Sequence, residues 1–135
     1  MRIFFDTNFL LDYLVREEYR ISSQNLLWEI KKRKYDIFIS YLSVANFAYI
    51  ARKLPKDILY DYLKEINTVF QILSNDKIQI NDAIKLFADD FEDALQYQTA
   101  NDGACDCIIT RNQKDFEFSS IPVYSPSEFL TKYII

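Results

Sequence analysis

Residues 1–12, MRIFFDTNFLLD, pass from apolar to polar and back within a few positions. Ile3, Phe4 and Phe5 form a short β-favouring run that reads as a buried strand, and Phe9, Leu10, Tyr13 and Leu14 then recur at helical spacing. Asp6 therefore falls where a strand stops and a helix starts. Asp, Thr and Asn are all good N-caps, so helix punctuation accounts for Asp6 locally. The carboxyl end of a parallel strand is also where open α/β sheets bind their ligands.

The same alternation continues along the chain. YDIFIS (35–40), FQIL (70–73), CIIT (107–110) and IPVYS (121–125) are further strand candidates. Helical patterns separate them: residues 22–34, SVANFAYIARK (43–53) with Ser43 as its expected cap, residues 58–70, and a last helix over 127–133. Strands alternating with helices predict a mostly parallel sheet of about five strands covered on both faces, a three-layer α/β/α fold in one domain spanning 1–135. NDAIKLFADDFEDALQYQTA (81–100) admits two readings. As one helix it turns Asp93 outward. A break near Ala88 with Asp90 as a new N-cap puts Asp93 in a first turn and explains why Asp89, Asp90, Glu92 and Asp93 crowd together, since anions are favoured there. The second reading is the one adopted.

Composition narrows the chemistry. Half of the 135 residues are hydrophobic and 16% aromatic, enough for an ordered core. No apolar run approaches the roughly 18 residues that span a bilayer, and the N-terminus lacks a signal-peptide pattern, so a cytoplasmic protein is expected. Cys105 and Cys107 are expected to be buried free thiols, since two thiols alone make a poor zinc site. The chain has no histidine and one glycine, Gly103. That excludes histidine triads, histidine-ligated metals, P-loops and dinucleotide fingerprints. Any enzymatic chemistry must come from carboxylates, Lys, Arg, Tyr or hydroxyls, and a site built from carboxylates usually needs a hard cation. The net charge of −4 gives no general nucleic-acid footprint, and the basic run Lys31–Lys34 reads equally well as a solvated helix end.

Three segments carry a family resemblance. FFDTNFLLD (4–12), DFEDALQYQTA (90–100) and CDCIITRNQKDF (105–116), closed by IPVYSPSEFL (121–130), together resemble the PIN-domain family, and within it the bacterial VapC-like toxin ribonucleases. The resemblance implies an acidic pocket at the strands' carboxyl ends that binds Mg²⁺ or Mn²⁺ and hydrolyses single-stranded RNA. It assigns Asp6, Asp93 and Asp115 as catalytic metal ligands, with Asp106 as a secondary ligand. Asn8, Thr110 and Asn112 match supporting polar positions. It also implies a protein antitoxin as partner and a homodimer. In one respect the chain departs from the pattern: where the family usually carries Glu in the helix after the second strand, this chain has Asn46, expected to line the pocket. Asn offers a neutral oxygen but no charge and no base. Arg111 and Lys114 are placed to contact substrate phosphates, or are ordinary loop charges.

Two other readings compete. A PIN-fold binding module with weakened catalysis, acting through RNA or a protein partner, is motivated by Asn46. A phosphate-accepting receiver domain has a similar outline but needs paired acids after the first strand, where this chain has one.

Overall fold

The computed structural model describes residues 1–135. Five strands, β1 (Arg2–Phe5), β2 (Asp36–Ser40), β3 (Gln71–Leu73), β4 (Cys107–Ile109) and β5 (Val123–Tyr124), form one sheet in the order β3-β2-β1-β4-β5. Every pairing is parallel. The helices are α1 (Thr7–Leu14), α2 (Glu17–Lys32), α3 (Tyr41–Ile50), α4 (Lys56–Val69), α5 (Lys77–Leu86), α6 (Phe91–Asp102) and the single turn α7 (Pro126–Phe129).

The period-2 alternation of the strands divides the core. Ile3, Phe5, Ile37, Ile39, Cys107 and Ile109 face one way and pack under α1, α2, α3, α4 and α7 through Leu10, Leu26, Ile30, Phe47, Ile66 and Phe129. Phe4, Phe38 and Ile108 face the other way, against Tyr97 and Ala100 of α6 and Phe116. Helix α5 then closes over α6, Ala83 meeting Ala94 and Leu95. Each such Phe or Ile contributes about 1.5–3 kcal/mol by leaving water. Burial on both faces is why these strands read as unbroken apolar runs.

The structure refines several boundaries. Helix α3 is capped by Ser40, whose hydroxyl accepts from the Ser43 N–H at 3.1 Å, so Ser43 is inside the helix rather than its cap. Helix α2 starts at Glu17, not at residue 22. Its first turn shows little apolar stripe, and Ile21 is exposed, but Glu17 and Glu18 complement the helix dipole. The last helix is one α-turn, opened by a Ser125–Glu128 capping box and continued as a wide π-turn over Leu130–Ile134.

The acidic stretch breaks as expected. Helix α5 ends at Leu86, Phe87 takes the left-handed conformation (φ 51°, ψ 37°), and Asp90 caps α6 by accepting from the N–H groups of Glu92 and Asp93. A bulky residue is disfavoured there, and Phe87 is 95% exposed. Phe87→Asn, which suits a left-handed helix end, is expected to stabilise the fold by about 0.5–1 kcal/mol. Urea titration of both proteins checks this, and a lower midpoint for the variant would contradict it.

Candidate active site

The sheet register assembles the site. Phe4 pairs with Phe38 and Phe5 with Ile109, so one step further along the strands Ser40, Asp6 and Thr110 stand in a row across three carboxyl ends. All three share the parity of Phe4, Phe38 and Ile108, which directs them toward α6. Asp6 and Ser40 each do two jobs, ending a strand and capping the helix that follows. Asp6 accepts from the Phe9 N–H at 3.2 Å and from the Thr110 hydroxyl at 2.7 Å. Thr110, fully buried, also accepts from the Asn112 N–H at 3.0 Å, which orders the turn after β4.

Helix α6 brings the second acid. Asp93 lies in its first turn and shares a cleft of about 330 Å³ with Asp115, Asp89 and Asp90 on its walls and Lys114 at its edge. Asp115 belongs to the 3-10 turn Gln113–Phe116. Burial pushes the Asp6 carboxyl up to about 6, against the opposing pull of its Thr110 and Phe9 hydrogen bonds. Asp93 is pushed up to about 7 by burial and then by the charges of Asp90, Asp115, Glu92 and Asp6. Asp6, Asp93 and Asp115 thus lie within electrostatic reach of one another.

The other predicted positions divide. Asp106 lies apart from the cleft. It precedes β4, so it sits at the opposite edge of the sheet, where its carboxylate accepts from the Arg2 N–H at 2.7 Å. Asn8, in the first turn of α1, makes no side-chain hydrogen bond. Asn46 is in the second turn of α3 rather than the first, half-buried, and its amide donates to Glu92 at 2.8 Å. It bridges α3 to α6 beside the cleft and does not line it. Burial and Asp90 raise Glu92 above the ordinary range, with the Asn46 hydrogen bond opposing them. The basic run at the end of α2 is engaged locally, Lys32 and Arg33 pairing with Glu29. Both cysteines are buried and free, and burial pushes Cys105 up to about 11 and Cys107 up to about 12.

Two residues absent from the sequence expectations hold the arrangement together. Gln96, 2% exposed and three residues after Asp93, accepts from the Ser40 hydroxyl at 2.7 Å and reaches Ser43 at 2.7 Å and Thr7 at 3.2 Å. Asp12, 3% exposed, takes two hydrogen bonds from Arg111 and one from Arg16.

The donor set is all carboxylate and therefore suits a hard cation. No three acids converge tightly enough to form a preformed cage. Mg²⁺ retains several waters and needs only one or two direct carboxylates, so an open cleft walled by Asp93 and Asp115, with Asp6 within electrostatic range of Asp93, fits it. Burial is the main cause of the raised Asp6 and Asp93 carboxyls, and at Asp93 the neighbouring acids add to it.

A parallel α/β/α sheet with acids at its carboxyl edge matches an established class. The PIN domain family matches residues 2–114, and the chain belongs to that family. It is 26% identical over 140 residues to Ribonuclease VapC1 of Aquifex aeolicus (strain VF5), covering 98% of this chain and 95% of that one. Among solved structures, VapBC-1 from nontypeable Haemophilus influenzae superposes with a TM-score of 0.74 at 14% identity, over 94% of this chain and 99% of the other. A toxin–antitoxin complex from Klebsiella pneumoniae superposes with a TM-score of 0.65 at 22% identity, over 92% and 97%. These two likenesses are of fold.

Two expectations follow from the geometry. An acid whose pKa is raised by folding stabilises the fold below its ordinary pKa and loses that contribution as pH rises through the raised value. The metal-free protein should therefore lose stability from about pH 4 to 7, as Asp6 (about 6) and Asp93 (about 7) ionise. Asp6→Asn keeps a competent cap and should be more stable than the parent at pH 8 without metal, by about 1–3 kcal/mol. Thermal melts of both proteins at pH 5 and pH 8 measure this, and identical pH dependence would contradict it. Gln96→Leu removes the amide that ties three buried hydroxyls to α6, leaving them bonded only to one another and to the backbone, and should cost about 1–3 kcal/mol in urea unfolding. A cost near zero would show that those hydroxyls find other partners.

Proposed function

We propose that this chain is a divalent-metal-dependent endoribonuclease that hydrolyses phosphodiester bonds of single-stranded RNA. Its setting would be the cytoplasm, as the toxin of a toxin–antitoxin pair, associating with a protein antitoxin and with a second copy of itself. The observation that carries the reading is that Asp93 and Asp115 share one cleft, with Asp6 within electrostatic range of Asp93, at the carboxyl edge of a PIN-family sheet. Support for the biological setting comes from a relative named Ribonuclease VapC1 and from a neighbour that is a toxin–antitoxin complex. Exposed Tyr49, Tyr60, Ile78 and Ile84 leave apolar surface for protein partners.

Asp6, Asp93 and Asp115 would hold Mg²⁺ or Mn²⁺. When bound, such an ion activates water and neutralises charge on the phosphoryl oxygens and leaving group. The chain's own residues do the rest. Thr110 and the Phe9 N–H hold the Asp6 carboxylate in one orientation. The Asn112 N–H, bonded to Thr110, fixes the turn that carries Asp115. Lys114, at the cleft's edge, would meet a substrate phosphate.

The test is cleavage of a mixed single-stranded RNA pool with and without Mn²⁺. Cleavage should require the metal, stop with chelator, and fall roughly 100-fold or more in Asp6→Asn and Asp93→Asn. Cleavage indifferent to metal or to Asp93 would defeat the nuclease reading. The second reading, a PIN-fold module that binds RNA or a partner with weakened catalysis, is favoured by Asn46 standing as a neutral amide bonded to Glu92. RNA retention without Mn²⁺-dependent cleavage selects it. Asn46→Glu should raise Mn²⁺ affinity and cleavage rate, because affinity for a hard cation follows ligand charge. No change in either would place Asn46 outside the site's electrostatics.

A further inference from the structure

A second cleft, of about 420 Å³, is bordered by Asp12, Tyr19, Ser22, Ser23, Arg111 and Ser127. Its central group is a guanidinium fixed in advance. Arg111 donates from Nε and Nη2 to the two carboxylate oxygens of Asp12 at 2.7 and 3.1 Å, and lies 3.9 Å above the Tyr19 ring. Arg16 reaches the same carboxylate at 3.2 Å, so two guanidiniums meet this one acid, with Asp6 within electrostatic range of Arg111. Arg111 Nη1 has no partner in the protein. Hydroxyl groups surround it. Ser23, 7% exposed, makes no hydrogen bond, and the Ser127 hydroxyl meets only that of Ser125. Apart from Pro126 the lining is polar, which does not suit an apolar ligand.

The cleft is not isolated from the acidic one. A shallow groove over residues 111–115 shares Arg111 with it, and shares Lys114 and Asp115 with the acidic cleft. The three depressions form one path along the turn after β4, with a basic residue at each junction.

We infer that the Arg111–Tyr19 cleft binds a backbone phosphate of single-stranded RNA a short way along the strand from the bond cut in the acidic cleft. The inference rests on the nuclease reading above. A planar guanidinium held on an aromatic face and clamped by a carboxylate loses little freedom when it binds an oxyanion. Ser23 and Ser127 add hydroxyl donors, and contacts of this kind fix register on a strand without reading its sequence.

The experiment measures binding of a labelled RNA dodecamer and a trinucleotide to the full chain carrying Asp93→Asn, across a range of salt. Arg111→Gln and Ser127→Glu are compared in that background. Arg111→Gln removes a partner of buried Asp12 and risks unfolding, whereas Ser127 is exposed and an acid in the first turn of α7 is well tolerated. Ser127→Glu is expected to weaken dodecamer binding about tenfold and to flatten the dependence of log affinity on log salt by about 0.7, the loss of one phosphate contact. The trinucleotide, with fewer phosphates to bridge the two clefts, should lose less than the dodecamer. Unchanged dodecamer affinity and slope in folded Ser127→Glu, while the parent chain still cleaves the dodecamer, would overturn the phosphate site and leave the nuclease reading standing. Equal losses for both RNAs would also overturn it, since the cleft would then be taking any phosphate rather than one along a strand. A parent chain that neither binds nor cleaves the dodecamer would overturn both.

Discussion

The hydrogen bonds of Gln96 are the constraint on which the rest of the structure depends. Three strand-end or helix-start hydroxyls, from Thr7, Ser40 and Ser43, converge on one side-chain amide projecting from α6. All four residues are buried, so each unmade bond would carry a desolvation cost, and the hydroxyls, bonded also to one another, tie α6 to both strand ends. That arrangement fixes the rotation and height of α6 against β1 and β2. Because Asp93 is one turn earlier on the same helix face, fixing Gln96 also fixes Asp93 relative to Asp6. The geometry of the acids is thus set by neutral groups beneath them.

This division of labour resolves a physical conflict. Carboxylates packed together repel, and left to themselves they would separate or take up protons. Here Asp6 is held by two donors and Asp90 by two more, while Asp115 rides on a turn tied to Thr110. The fold supplies attachment at each acid separately. The unfavourable charge energy is then stored in the site rather than dissipated by rearrangement, as is common where stability yields to function.

Much of this was legible in the sequence, and the remainder was not for definite reasons. The parallel sheet followed from unbroken apolar strands alternating with helical patterns, and the break before α6 followed from acids too crowded for mid-helix. Asp6 was legible in both its roles because capping and strand-end position make compatible demands. Gln96 was hidden because a polar residue inside DALQYQTA looks like any solvated helix position. The available signal was its spacing of three from Asp93, which places both on one face. Asp12 was hidden for a different reason: its partner Arg111 lies 99 residues away, and no local pattern reports such a pair. Asp106 was grouped with the site by the family resemblance, yet a residue that precedes a parallel strand and one that follows it lie at opposite edges of the sheet. The cap of α3 moved from Ser43 to Ser40 because the strand-end serine reaches the first free N–H groups before the later one can.

The strand order carries a consequence for how the protein comes into being on the ribosome. The central strand β1 is the first to be synthesised, and residues 2–73 can complete the β1–β2–β3 half of the sheet by pairing with one neighbour at a time. The other edge of β1 waits for β4, which begins at Cys107. Thr110, the donor that orients Asp6, and Asp115 emerge later still, after Asp93 has arrived on α6. Until β4 is made, β1 has one unpaired edge and Asp6 lacks the Thr110 hydroxyl, held only by the Phe9 N–H. Hydrolytic competence would come only with the closing pairing of the last strands, so that translation itself acts as a timer on when the site exists.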